Sequence, residues 1–211
     1  MTTSRRRALD KLLKNMKNAF QGIVLDIGSR TCGKFQKPLK QVKKWITIDI
    51  SAEVKPDILN KVEDLREVQN DFADFVLATE LFEHVKKPEK GLQECYRVLK
   101  TGGTFILSAP FLFYVHADPQ DYQRWTKFKW ESELSKHGFQ IKKFVITGLF
   151  FSVLLDMFVI FYNSQSPLIK MMLLPSYPIM RLFCLLDHTW FVKSNQKLSN
   201  FHNGYFIISK K

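Results

Sequence analysis

The sequence predicts an α/β protein, with helices wound on both faces of a mostly parallel sheet. Three observations predict it. Short, continuously apolar runs recur along the chain, helical patterns separate them, and a glycine turn follows the first run directly. Strands alternating with helices imply parallel pairing, and continuously apolar strands fit burial on both faces.

Residues 1–21 come first. Leu9, Leu12, Leu13, Met16 and Phe20 recur at helical spacing among many lysines and arginines, which predicts a basic amphipathic helix. Such a helix either packs on the domain or lies on a membrane surface. Asp10, Lys11 and Lys14 interrupt any apolar core of a leader, so no signal peptide is expected.

The core is expected over 22–148. "IVLDI" (23–27), "WITIDI" (45–50), "FADFVLAT" (72–79) and "GTFILSAP" (103–110) read as buried strands. "PEKGLQECYRVLK" (88–100) reads as a helix opened by Pro88, where a missing N–H costs little, and closed by "TGG" (101–103). "FQIKKFVIT" (139–147) and "NGYFIISKK" (203–211) read as late strands, so 203–211 returns to the core. The connection between them, 149–202, is far longer than ordinary connections and is expected to be an insertion with its own job.

At 211 residues and 45% hydrophobic composition, the chain suits one domain with a sizeable core. The net charge of +12 favours an anionic partner: nucleic acid, an acidic membrane surface or an acidic substrate. Cys32, Cys95 and Cys184 form no CxxC pair, which suggests neither a disulfide framework nor a zinc site and fits a reducing cytosol. No His, Cys or Asp spacing resembles a metal site, so no metal is expected.

Sheets of this kind bind ligands outside the carboxyl ends of their strands. The first turn offers backbone N–H groups to an anion. Asp49, ending the next strand about 20 residues on, is spaced for a ribose contact. A dinucleotide would need G-x-G-x-x-G, but the turn reads Gly28-Ser29-Arg30-Thr31-Cys32-Gly33. Arg30 stands where a pyrophosphate needs glycine, so a cofactor with ribose and a carboxylate fits better, and S-adenosylmethionine (SAM) is such a molecule.

At these residues the chain resembles the class I SAM-dependent methyltransferases of the small-molecule kind, and in particular the type 11 domains. "VLDIGSRTCG" resembles the first motif of the family and "ITIDIS" the second. Residues 72–111, with "TELFEHV", "ECYRVLKTGG" and "LSAPF", match at the family's spacing. "HADPQDYQRWT" (116–126) resembles a segment of members that methylate surface-polysaccharide and lipid-type acceptors. The resemblance implies a Rossmann-like seven-stranded sheet with an antiparallel last strand. It implies SAM contacts at Asp26, Gly28 and Ser29 in the turn, and at Asp49 and Ile50 after the second strand. Further contacts fall at Asn60 and the backbone of Val62, and at Thr79 and Glu80. Two positions depart from the pattern: Arg30 and Cys32 replace common glycines, and Lys61 stands where an acidic adenine contact is usual.

Methyl transfer needs acceptor, methyl carbon and sulfur in line, with water excluded. A hydroxyl acceptor adds the need for a base, and His116 in the loop after "SAPF" is the candidate, with the alternative of a structural role in the Pro119 turn. Tyr122, Arg124 and Trp125 either line an acceptor pocket or bury under the following helix. His84 either serves the site or caps its loop.

The insertion bears on partners. "LFFSVLLDMFVIFY" (149–162) carries one charge, Asp156, and as a helix is too short to span a bilayer. Its apolar surplus favours peripheral membrane contact, against the alternatives of a lid or a dimer interface. The basic residues are spread out and "TELF" replaces the N-P-P-Y-like motif of amino-methylating DNA enzymes, which argues against nucleic acid. The reading is a methyltransferase acting on a hydroxyl or carboxyl of a small-molecule, lipid-linked or glycan-type acceptor. It is expected in the cytoplasm, on the inner face of the cell membrane. The alternative is a catalytically inactive module of the same fold that binds membrane or protein.

Overall fold

The computed structural model describes residues 1–28, 40–116 and 119–211. Seven strands form one sheet: β1 (Gly22–Ile27), β2 (Val42–Asp49), β3 (Ile58–Leu59), β4 (Ala73–Thr79), β5 (Leu99–Pro110), β6 (Gln140–Thr147) and β7 (Gly204–Lys210). Their spatial order is β3-β2-β1-β4-β5-β7-β6. β1 to β5 run parallel, and β7 is antiparallel to both β5 and β6.

Side chains alternate across the sheet with the period of two that strand geometry imposes. Leu25, Val76, Phe105, Leu107 and Ile207 face one way, onto Leu92, Cys95 and Val98 of α2 (Pro88–Val98) and Trp130 and Leu134 of α3 (Lys127–Lys136). Val24, Phe75, Leu77, Ile106 and Phe206 face the other way. There they meet Leu9 and Leu13 of α1 (Ser4–Met16) and Phe20. The N-terminal helix is therefore packed on the sheet. Each buried leucine contributes roughly 1.5–3 kcal/mol.

Several expected boundaries shift, and β2 begins at Val42, three residues before Trp45. The helix at 88–100 ends at Val98, and "TGG" lies inside β5. Gly102, at φ +76, bends that strand's start and its N–H donates to Lys211 O at 3.0 Å. The glycines were read as helix punctuation because sequence spacing does not reveal that β7 comes back to pair there. The short strand β3 was not read as a strand, because two residues carry no periodicity.

The insertion folds into α4 (Phe150–Ser164), α5 (Pro167–Leu173), α6 (Ser176–Phe183), a 3-10 turn (Cys184–His188), α7 (Trp190–Ser194) and α8 (Gln196–Ser199). α4 buries Val153, Leu155 and Val159 while Met157 and Phe161 face out. Its free N-terminal amides are satisfied from a distance: Asp187 accepts from Leu149, Phe151 and Ser152 N–H at 2.9–3.0 Å. Among the described residues no single helix is long and apolar enough to cross a membrane. α5 and Ser176–His188 pass by length and composition only as a pair bent by 52°.

Candidate active site

Register brings the carboxyl ends of the parallel strands level. Ile27 stands beside Ile48 of β2 and Ala78 of β4, and Thr79 beside Ser108 of β5. Gly28, Asp49 and Thr79 therefore share one edge of the sheet. The Gly28 N–H donates to Ile48 O at 2.8 Å, and its φ of +71 is the left-handed region that favours glycine. A Cβ there would stand 2.6 Å from Leu81 Cδ1. The turn is thus held tight against the segment after β4.

Asp26 is buried and its Oδ2 accepts from Trp45 Nε1 at 3.1 Å. Asp49 is 7% exposed, and its Oδ1 accepts from Ser51 N–H at 2.9 Å. Ile50 follows with 59% exposure, an apolar side chain at the same edge. Asn60 N–H donates to Asp49 O at 3.0 Å, which places Asn60 beside Asp49. Val62 turns its side chain into the core against Gly91, leaving only its backbone for a cofactor. Ser29, with Arg30 and Cys32, lies outside the described residues, as does Asp118 beside His116. A cavity of about 800 Å³, lined by Lys61, Asp64, Lys86 and Arg97 among others, flanks α2, and none of the expected cofactor residues lines it.

Glu80 adopts φ +53, a conformation that is strained for a residue with a side chain. What holds it is visible. Its N–H donates to Ser108 O at 3.0 Å, its Oε1 accepts from Ser108 Oγ at 2.9 Å, and its Oε2 pairs with the Arg5 guanidinium. Arg5 in turn stacks 4.0 Å from the centre of the Phe113 ring, and burial brings its pKa down to about 10. The N-terminal helix thus reaches into the wall of the site, which no motif in the sequence signalled.

The 3-10 turn Phe82–His84 is strapped to the loop at 119–126. Tyr122 N–H donates to Glu83 O at 2.8 Å, and Gln123 Nε2 donates to Phe82 O and Val85 O at 2.8 and 2.9 Å. Asp121 receives His116 N–H at 2.9 Å and a two-pronged contact from Arg124; against the upward push of burial, Arg124 holds its pKa down to about 2. This strapping sets His116 and His84 edge to face, with ring centres 5.1 Å apart. Burial lowers the His116 pKa, so the ring is neutral near pH 7. Glu83, missed as a site residue, is 2% exposed with neither carboxylate oxygen hydrogen-bonded, and burial raises its pKa. Arg124 thus braces the loop, Tyr122 stays 47% exposed, and Trp125 packs on Trp130 at 4.6 Å rather than lining a pocket.

The order β3-β2-β1-β4-β5-β7-β6, with its ligand edge built from Gly28, Asp49 and Glu80, is the fold of the class I SAM-dependent methyltransferases. Residues 25–107 match the family model described as a methyltransferase domain. Among similar solved structures is a SAM-dependent methyltransferase from Archaeoglobus fulgidus, with TM-score 0.59 and 18% identity, covering 98% of this chain and 94% of that one. A second is phosphoethanolamine N-methyltransferase 2 of Haemonchus contortus in complex with SAM, with TM-score 0.55 and 15% identity, covering 97% of this chain and 52% of that one. A third, the cyclase SpnF, has TM-score 0.57 and 15% identity, covering 97% of this chain and 80% of that one. No curated protein matches the chain's sequence. Since a cyclase shares the fold, activity has to be argued from the site.

Proposed function

We propose that this protein transfers the methyl group of SAM to a hydroxyl or carboxyl of a lipid-linked or glycan-type acceptor at a membrane surface. The observation that carries the SAM reading is the shared edge where Gly28, Asp49 and Glu80 surround the first turn. Gly28 lets the backbone approach the cofactor, Asp49 offers a carboxylate oxygen to the ribose, and Ile50 offers an apolar face to the adenine. Thr79 and the braced Glu80 form the wall nearest the methyl group. The acceptor lies beyond them, against Glu83, His84 and His116, where a hydroxyl proton can be removed.

The sulfonium supplies the driving force, so the protein's task is alignment and exclusion of water. The strap at 119–126 and the Arg5 contact on Phe113 serve that task. Support for the membrane comes from the insertion, where Met172, Leu182 and Trp190 are 73%, 66% and 81% exposed. Lys170 and Arg181 lie on the same helices, and the net charge is +12. Exposed apolar side chains on helices that also carry basic residues fit an acidic lipid interface. The chain then acts from the cytoplasm, at the inner face of the membrane.

Calorimetric titration with SAM tests the cofactor step, and mass analysis of a cell-envelope extract incubated with labelled SAM tests the acceptor. A protein that gives no heat at millimolar SAM is instead a non-catalytic module of the same fold.

A further inference from the structure

We propose that Glu83, His84 and His116 bind a divalent first-row transition-metal ion at the acceptor side of the site. One ligand-type atom from each residue lies within 4.8 Å of the other two. His84 Nε2 stands 3.7 Å from Glu83 Oε1. Two ligands each about 2.0–2.2 Å from one ion stand roughly 3–4 Å apart, so small side-chain adjustments close the site.

The hydrogen bonding around the cluster independently points to a ligand. Both Glu83 oxygens are buried without a hydrogen bond, and burying an unpartnered carboxylate is costly. The nearby guanidiniums act on Glu83 by charge but neither hydrogen-bonds it: Arg5 pairs with Glu80 and Arg124 with Asp121, and each keeps its Nε unpartnered. Each imidazole has its Nδ1 against a backbone carbonyl: His84 to Gln120 O at 2.6 Å and His116 to Tyr114 O at 3.2 Å, with Asp121 Oδ2 at 3.3 Å from the same His116 nitrogen. A carbonyl only accepts, so Nδ1 carries the proton and Nε2 keeps its lone pair. That arrangement is how metal-binding histidines are oriented by their outer partners. Two imidazoles and one carboxylate, with positions left for water or substrate, suit zinc, iron, cobalt or manganese.

The sequence expects no metal because its spacing hides the triad: Glu83 and His84 are adjacent, and His116 arrives from the loop after β5. The role of the ion rests on the proposed methyl transfer. Held by Glu83, His84 and His116, the ion would lower the proton affinity of an acceptor hydroxyl bound to it. The proton leaves to solvent, the oxygen lone pair forms the new bond to the methyl carbon, and the carbon–sulfur pair returns to sulfur.

Metal binding is tested without SAM. The full chain, freed of metal by chelator, is titrated with Co²⁺ and followed by visible absorption. The expected result is saturable 1:1 binding, weakened at least about tenfold in E83Q and in H116N and unchanged in H188N, whose histidine is exposed. Circular dichroism checks each fold, and H116N, on a half-buried loop, decides the matter alone should E83Q not fold. Absence of saturable binding below about 1 mM Co²⁺, or unchanged binding in H116N, overturns the proposal. A protein that binds Co²⁺ but not SAM keeps the site and loses the methyltransferase reading.

Discussion

Asp156, the only charged residue of α4, accepts a hydrogen bond from the backbone N–H of Arg5 at 3.1 Å. It also accepts from Ser4 N–H and, at 3.1 Å, from Asn203 Nδ2. One carboxylate thereby joins the insertion, the start of α1 and the entry to β7. The anchored segment carries Arg5 to Glu80, so the insertion and the cofactor wall are mechanically linked. Asp156→Ala leaves the partly buried Ser4 and Arg5 amides and the buried Asn203 amide without this acceptor. It is expected to lower stability by about 2–4 kcal/mol, measured by urea denaturation. A loss below about 0.5 kcal/mol would show that water replaces the carboxylate.

Asp49→Ala is expected to weaken SAM binding by about 1–3 kcal/mol, read by calorimetry, the range for a lost hydrogen bond to a charged group. Unchanged affinity removes Asp49 from the site.

Gly28→Ala places a Cβ at φ +71 against Leu81. The left-handed conformation costs about 1–2 kcal/mol. Leu81 is expected to swing toward the cofactor, so SAM affinity falls as well as melting temperature. A variant that melts lower yet binds SAM normally would mean that the turn is structural only.

His202 stacks on Phe111 and meets Tyr205 edge to face, with ring centres 4.6 and 4.7 Å away, and burial lowers its pKa from 6.5 to about 4. The unfolded chain therefore binds the proton more readily than the folded one. The stability it contributes is complete above about pH 6.5 and is lost as pH falls toward 4, by an upper figure of about 3 kcal/mol. Denaturation of His202→Phe at pH 4 and 7 should lack this part of the pH dependence. Parallel pH profiles for the two proteins would assign the acid sensitivity elsewhere.

Membrane docking is tested by co-sedimentation with acidic vesicles of the intact chain and of a Met172→Asp, Leu182→Asp variant. Both residues are exposed, so the variant should fold. The intact chain is expected to pellet, less so at high salt, and the variant to stay in solution, because apolar contact is unscreened while the basic contribution is not. An intact chain that remains in the supernatant at low salt sinks the membrane reading, and sedimentation velocity then shows whether the same face forms a dimer.

The amino-acid sequence by itself determined the sheet and its ligand edge. Apolar runs such as "IVLDI" and "FADFVLAT" can be satisfied only by burial on both faces, and Gly28 and Asp49 are close in sequence to the strands that position them. Local periodicity and spacing carry that information. Only the tertiary structure decided what α1 and Asp156 do. Arg5 meets Glu80, and Asn203 meets Asp156, across long stretches of chain, through hydrogen bonds that leave no periodic trace. The lone aspartate in "LFFSVLLDMFVIFY" reads in sequence as the one charge on an apolar segment that favours membrane contact over a lid or dimer interface, and it faces inward to accept the free amides of another helix. The Glu83–His84–His116 group was equally hidden, since His116 joins it only through the strap at 119–126. Pattern within one segment reports which face is buried; which groups from separate segments share that burial is set by packing alone.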